Sequence, residues 1–324
     1  MENCDFINMF DVESSINVAE FKKAVREEHS IDLEKIGQYK QYYRMVFKET
    51  GMRPSKFEPE PGYCYVKHKY KDVEIEILKA SNEAKRVVYF FKGCAYINHL
   101  TDSALKEMQR MVRLLGDVDA ISVNHRIAPE HNYKDLLSDT VNGYIWLLEQ
   151  GYLPENIIFI GDSSGGGTAL ATAMRLRDLK MELPELMILF SPWANVAMDT
   201  PSYDAYRDAD CMLGENGLLE YAKEVYMDQK DVHNPYVSPC YGSFENLPKT
   251  LIQVGTEERV LDDSITITEK IRKCGGEAIL EVYKDMFHEF QSYYELDAAK
   301  VAWEQVVDFI NVHYEKGVYI RGDK

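Results

Sequence analysis

Three short segments of this chain carry residue types that suit nucleophilic chemistry, and they follow one another in a telling order. The first is Gly161-Asp162-Ser163-Ser164-Gly165. It follows the apolar run Ile157-Ile158-Phe159-Ile160 and precedes Gly166-Gly167-Thr168-Ala169-Leu170-Ala171, which opens like a helix. A strand, a tight Gly-x-Ser-x-Gly turn and a helix make an elbow that lifts a serine hydroxyl above a sheet. Glycines stand two positions from the serine because side chains there would strike the neighbouring strand and helix. The helix N-terminus beneath the serine favours negative charge at that spot. On its own the pentapeptide also fits a plain glycine-rich turn that cradles a phosphate.

The other two segments favour the elbow. A serine nucleophile needs a base, and the base needs an orienting acid. With an elbow these follow in the order Ser, Asp/Glu, His. Thr250-Leu251-Ile252-Gln253-Val254 reads as a strand with Glu257 and Glu258 beyond its carboxyl end. Ala278-Ile279-Leu280-Glu281-Val282-Tyr283 reads as another, followed by His288. Both therefore sit at the strand-end edge of a parallel sheet, where ligands bind. Residue types alone leave the acid open among Glu257, Glu258 and Asp262, while Asp262 and Asp263 also suit the cap of a helix running to about Lys273.

These motifs resemble those of the hormone-sensitive lipase branch of the α/β-hydrolase superfamily, which contains many microbial carboxylesterases. Gly161-Asp162-Ser163-Ser164-Gly165-Gly166 is similar to its Gly-Asp-Ser-Ala-Gly-Gly. His125-Arg126-Ile127-Ala128-Pro129-Glu130-His131 is similar to its Tyr-Arg-Leu-Ala-Pro-Glu-His. Ser191-Pro192-Trp193, the acid loop Val254–Asp263 and Asp285-Met286-Phe287-His288-Glu289-Phe290 also have counterparts, so the likeness runs in order from about Val87 to His288. The resemblance implies an α/β-hydrolase fold: a mostly parallel central sheet flanked by helices, with a helical cap. It implies acyl transfer to water, with Ser163 as nucleophile, His288 as base and Glu258 aligned with the acid. It implies no metal and no organic cofactor. Arg126 and Glu130 are expected to make an internal ion pair or loop bonds and not substrate contacts, and Asp162 to be structural.

One departure stands out. Where that family carries His-Gly-Gly-Gly, this chain has Lys92-Gly93-Cys94-Ala95, followed by Tyr96. By resemblance the oxyanion hole comes from backbone N–H groups of Gly93, Cys94 and Ala95, with that of Ser164. A Cβ costs roughly 1–2 kcal/mol wherever the hole needs a left-handed residue. Elsewhere Cys94 and Ala95 only narrow the site, which favours small acyl groups from acetyl to butyryl. Tyr96, Trp193 and Phe287 lie beside the motifs and are expected to line the substrate pocket, although aromatic residues in such places also serve as core.

The elements that must hold these groups can be read from periodicity. Residues 1–60 read as helical, with an amphipathic stretch at Val18–Val25 and another at Ile36–Phe47, ended by Gly51 and Pro54. By resemblance they form a cap segment over a catalytic domain spanning 61–324. Residues 63–69 and 72–78 alternate apolar and polar types as an antiparallel edge pair. Strands follow at 87–91, 119–123, 157–160, 187–190, 250–254 and 278–283, alternating with helices. The insertion 200–235, tyrosine-rich and helical from about 215, is expected to be the second part of the cap.

Composition narrows the partners. The net charge is −17, from 37 basic and 54 acidic side chains over 324 residues, which argues against nucleic acid. No stretch is long and apolar enough to span a membrane. The start, Met1–Phe6, lacks a basic region followed by an apolar one and is not expected to be a signal peptide. The six cysteines show no zinc or disulfide spacing, so reduced thiols and a cytoplasmic location are expected. The expected partner is a small-molecule ester, with a homodimer possible. Two competing readings use the same residues: a binding protein that kept the fold but lost turnover, and a peptidase or amidase with the same triad.

Overall fold

Strict alternation along the strands decides which side chain goes to which face of the sheet. The computed structural model describes residues 7–29, 56–80, 84–214 and 216–319, with side chains as far as Tyr314. In chain order it runs β1 (Ile7–Phe10), α1 (Val18–His29), β2 (Tyr63–Tyr70), β3 (Val73–Ala80), β4 (Arg86–Phe91), α2 (Asp102–Leu115), β5 (Val118–Asn124), α3 (Tyr133–Glu149) and β6 (Ile157–Asp162). It continues with α4 (Ser164–Asp178), β7 (Leu186–Phe190), α5 (Ser202–Ala205), α6 (Leu218–Tyr226), β8 (Lys249–Gly255), α7 (Leu261–Lys273), β9 (Ala278–Tyr283) and α8 (Asp297–Tyr319). All nine of these strands join one sheet, ordered β1-β9-β8-β7-β6-β4-β5-β3-β2. β3 is antiparallel to β2 and to β5, and the other pairs are parallel.

Every residue of β6 is buried, as expected of a central parallel strand covered on both faces. Val87, Tyr89, Phe91, Ile157, Phe159, Met187 and Leu189 point to the face covered by α3, α4 and α7. Val88, Phe90, Ile158, Ile160, Leu186 and Ile188 point to the other, covered by α2 and α8. The expected strands and the β2–β3 edge pair are all present, each within a residue or two of its expected ends.

The N-terminal expectation needs correcting. Residues 1–60 are not simply helical: Ile7–Phe10 form a strand parallel to β9, with Ile7 opposite Leu280 and Phe10 opposite Tyr283. Four residues are too few to show a period, and their partner lies far away in sequence. The amphipathic stretch at Val18 does form α1, whereas Ile36–Phe47 lies outside the described residues.

The order of β5, β4 and β6 creates the site's location. The chain leaves β4 toward α2 on one face and leaves β6 toward α4 on the other. β4 and β6 are neighbours, with Phe91 opposite Gly161. Loops that part to opposite faces leave a crevice at the strand ends, the usual ligand position in open α/β sheets. The loop after β4 carries Lys92–Tyr96, and the loop after β6 carries Ser163.

Phe159 sits at the core's centre, with its ring 4.8 Å from Phe91, 5.4 Å from Tyr89 and 5.7 Å from Tyr144. Phe159→Ala is expected to cost about 3–5 kcal/mol. A chemical-denaturation midpoint unchanged from wild type would contradict this packing.

Candidate active site

The turn after β6 is an elbow. Ser163 has φ 51° and ψ −124°, a conformation that a non-glycine residue holds only when its surroundings enforce it. The enforcement is visible. The Ser163 N–H donates to the Phe190 carbonyl at 2.9 Å, and its own carbonyl accepts from Trp193 N at 2.8 Å and Gly166 N at 3.0 Å. A Cβ on Gly165 would lie 1.8 Å from the Phe91 carbonyl oxygen, so β4 approaches the helix start as closely as it does only because that residue is glycine.

His288 Nε2 lies 2.8 Å from Ser163 Oγ, and its Nδ1 lies 3.2 Å from Glu258 Oε2. A carboxylate only accepts, so Nδ1 carries the proton toward Glu258 and Nε2 is left to accept from the serine hydroxyl. The other oxygen of Glu258 accepts from Ser191 Oγ at 2.8 Å and from the Gly255 N–H at 2.5 Å. Glu258 and His288 are almost wholly buried, and Ser163 is 7% exposed. Burial would push the imidazole down, but the hydrogen bond and charge of Glu258 outweigh it and hold His288 above its ordinary value. Burial likewise pushes the Glu258 carboxyl up, opposed by His288 and the Gly255 N–H.

The other two acids make different contacts. Glu257 pairs with Lys22 at 2.8 Å. Asp262 accepts from the Ser202 N–H at 2.9 Å. Asp263 is not a solvent-facing helix cap: it is buried, pushed up to about 7 by that burial, and accepts from Ala194 N, Asn195 N and Tyr203 Oη, each at 2.8 Å. It therefore fixes the turn that follows Ser191-Pro192-Trp193. Arg126 makes an internal ion pair, as expected, with acids of α3. It bonds to Asp139, with Nη2 to Oδ1 at 2.7 Å, and to Asp135 at 3.1 Å.

The loop after β4 packs against the elbow, but not with every N–H free. The Gly93 N–H donates to Asp162 Oδ1, so Gly93 is not available as an oxyanion donor. The Cys94 N–H donates to Ser164 Oγ at 3.0 Å. Ala95 and Tyr96 have φ of 49° and 64°, so the loop holds its shape against the strain of two Cβ atoms. The Cys94 N–H is thus shared with the Ser164 hydroxyl.

The three aromatic residues are buried and occupied with protein contacts. Tyr96 stacks on Tyr226 at 3.8 Å and donates to the Trp193 carbonyl at 3.2 Å. Trp193 Nε1 donates to the Asn195 carbonyl. Phe287 packs between Phe21 of α1 and Tyr293, at 6.4 and 5.4 Å. Their packing accounts for their burial, and Phe21 and Tyr293 are neighbours that the sequence did not point to. Ser191 was also missed as a site residue. It donates to Glu258 and accepts from the Glu289 N–H at 3.1 Å. The Ser-Pro-Trp segment at the end of β7 was the available signal. Among the described residues, no three His, Cys, Asp or Glu side chains converge as a metal site, and no helix is long and apolar enough to cross a membrane.

Comparison with known proteins bears on the fold and the family. Residues 87–292 match the model of a family described by the alpha/beta hydrolase fold. An acetyl-hydrolase of Streptomyces hygroscopicus is 34% identical over 183 residues, covering 56% of this chain and 61% of that protein. An esterase of Acinetobacter venetianus is 29% identical over 235 residues, covering 72% and 77%. Among solved structures, esterase EstE5 soaked with p-nitrophenyl butyrate superposes with a TM-score of 0.79 at 26% identity, covering 92% of this chain and 98% of that one. An esterase from the bacterial hormone-sensitive lipase family gives 0.78 at 25% identity, covering 91% and 97%.

The His288 environment can be tested without any substrate. Ring titration by NMR is expected to place its midpoint above the ordinary value of about 6.5. In Glu258→Gln the carboxylate is gone and burial acts alone, so the midpoint should fall below it. A variant midpoint at or above that of wild type would contradict the contact.

Proposed function

The chain belongs to the α/β-hydrolase family, and from that membership we propose that it is a serine carboxylesterase working through an acyl-enzyme. The observation that carries the reading is the continuous line Ser163 Oγ, His288 and Glu258, at 2.8 and 3.2 Å. Ser163 attacks the ester carbonyl as His288 takes its proton. Glu258 keeps the imidazole in the required tautomer and stabilises the imidazolium. The N–H groups of Ser164, Cys94 and Ala95 receive the oxyanion. His288 returns the proton to the leaving alcohol, then activates water to release the acid.

Short acyl groups, acetyl to butyryl, fit this reading best. Cys94 and Ala95 put side chains where the resembling family has hydrogens, and the nucleophile is nearly closed off. An acetyl-hydrolase among the relatives and an esterase soaked with a butyryl ester among the solved structures support it. We further propose that the described N-terminal segment and the insertion 200–235 form a cap. Phe21 packs on Phe287, Lys22 Nζ donates to the Asp285 carbonyl at 3.3 Å, and Arg26 donates to the Asp208 carbonyl at 2.8 Å. Buried Arg259 joins the acid loop to the insertion, donating to the Tyr203 and Leu213 carbonyls at 2.9 Å. A cytoplasmic location is part of the proposal and rests on the cysteine spacing.

One observation favours a second reading, a binding protein with impaired turnover. The Cys94 N–H already has a partner in Ser164 Oγ, and an oxyanion must compete for it. Loss of one donor of this kind costs about 2.7–4 kcal/mol of transition-state stabilisation.

Hydrolysis of p-nitrophenyl acetate, butyrate and octanoate, beside Ser163→Ala, separates the two. The esterase reading expects the substitution to lower kcat by roughly 10³-fold or more, with acetate and butyrate preferred over octanoate. A folded wild type no faster than the variant favours the binding protein. An octanoate preference would remove the short-chain assignment.

A further inference from the structure

Lys92 stands in the position where the resembling family carries histidine, and its surroundings give it a distinct task. Its side chain is 18% exposed, and its Nζ lies 2.6 Å from Asp162 Oδ2 and 3.7 Å from Glu289 Oε1. Those two carboxylates are themselves nearly covered, at 4% and 14%. Asp162 immediately precedes the nucleophile, Glu289 immediately follows the catalytic histidine, and Lys92 immediately precedes the oxyanion loop. One ammonium therefore touches the three segments that the chemistry must hold in register.

The contacts close into a loop. Asp162 holds Lys92 with one carboxylate oxygen and accepts from the Gly93 N–H with the other. The Lys92–Gly93 peptide is thereby fixed in direction, and with it the entry to Cys94 and Ala95. On the other side, Glu289 Oε1 rests against Gly93, where a Cβ would come within 2.3 Å of it. The Glu289 N–H donates to Ser191 Oγ, which in turn donates to Glu258. The region also feels Glu107, a buried carboxyl pushed up to about 7 by that burial and opposed chiefly by Arg110.

We propose that Lys92 is a positioning residue that locks the oxyanion loop to nucleophile and base by placing one positive charge between Asp162 and Glu289. The inference rests on the esterase reading above. Without the ammonium, two covered carboxylates face each other beside Gly93 with no cation between them, and a buried charge stripped of its partner is strongly unfavourable. They relax by moving apart, which carries the loop away from Ser163. Displacement of a donor by about 1 Å costs on the order of 10²-fold in rate. The substrate pocket beyond the loop is untouched, so the loss falls on kcat and not on KM.

The experiment compares wild type, Lys92→Met and the double variant Lys92→Met/Glu289→Gln on p-nitrophenyl butyrate. Lys92→Met should lose roughly 10–100-fold in kcat with KM within about threefold. Removing the second charge in the double variant should restore about tenfold of that loss. A kcat for Lys92→Met within about twofold of wild type overturns the proposal. So does a double variant no faster than the single one, because a merely space-filling lysine would not be rescued by neutralising Glu289. If Lys92→Met fails to fold and the double variant folds, the charge account is supported; if neither folds, it is overturned. A wild type that turns over no ester overturns the esterase reading itself, and is told apart by being seen before any substitution at Lys92.

Discussion

A histidine sealed from water can keep a raised proton affinity only if a carboxylate sealed beside it stays ionised. That pairing of two buried groups is the constraint on which the rest of the site depends. His288 gains nothing from solvent, and burial alone would leave it a weak base. Glu258 reverses this, but Glu258 is buried as well and needs donors of its own. They arrive from two strand ends: Ser191 after the neighbouring β7 and the Gly255 N–H closing β8, the strand that carries Glu258. Each donor is fixed in turn by backbone geometry. Ser191 has φ 46°, and a Cβ on Gly255 would lie 2.1 Å from the Met286 carbonyl oxygen, so the acid and histidine loops meet only through a glycine.

The same demand for compensated charge shapes the outer ring. Asp263 holds the turn after Trp193 through three donors, Arg259 reaches across to the insertion, and Lys92 sits between Asp162 and Glu289. None of these is a surface ion pair of small consequence. They are buried groups whose partners come from different loops, so losing one leaves a charge without a partner. The parallel sheet makes this affordable because aligned strand ends deliver β4, β6, β7, β8 and β9 loops to one edge. Its register, with Asp162 opposite Phe190, Phe190 opposite Gln253 and Gly255 opposite Tyr283, sets the spacing between them.

Much of this was legible in the sequence, and the reasons differ by feature. The elbow and central strands were readable because burial on both faces forces continuous apolar runs, and a sharp turn forces glycine. Glu258 and His288 were reachable through order and motif. The strand at Ile7–Phe10 was not, since four residues carry no period and their partner is β9. Gly93 was misjudged as a donor because the Asp162 side chain, invisible to any spacing rule, takes its N–H. Arg126 could be expected in an internal ion pair, but its partner could not be named, because only the fold brings Asp139 to it along α3. The aromatic residues Tyr96, Trp193 and Phe287 could be placed near the motifs but not given a contact, because packing partners such as Phe21 and Tyr226 come from distant segments.

The central claim is that Ser163 is an activated nucleophile, made so by His288. Intact mass spectrometry after exposure to a fluorophosphonate, followed by peptide mapping, tests it directly and needs no knowledge of the natural substrate. The account predicts one adduct per chain, on Ser163, and none in a folded His288→Ala variant under the same conditions. An unlabelled wild type, an adduct on another residue, or equal labelling without His288 would contradict it.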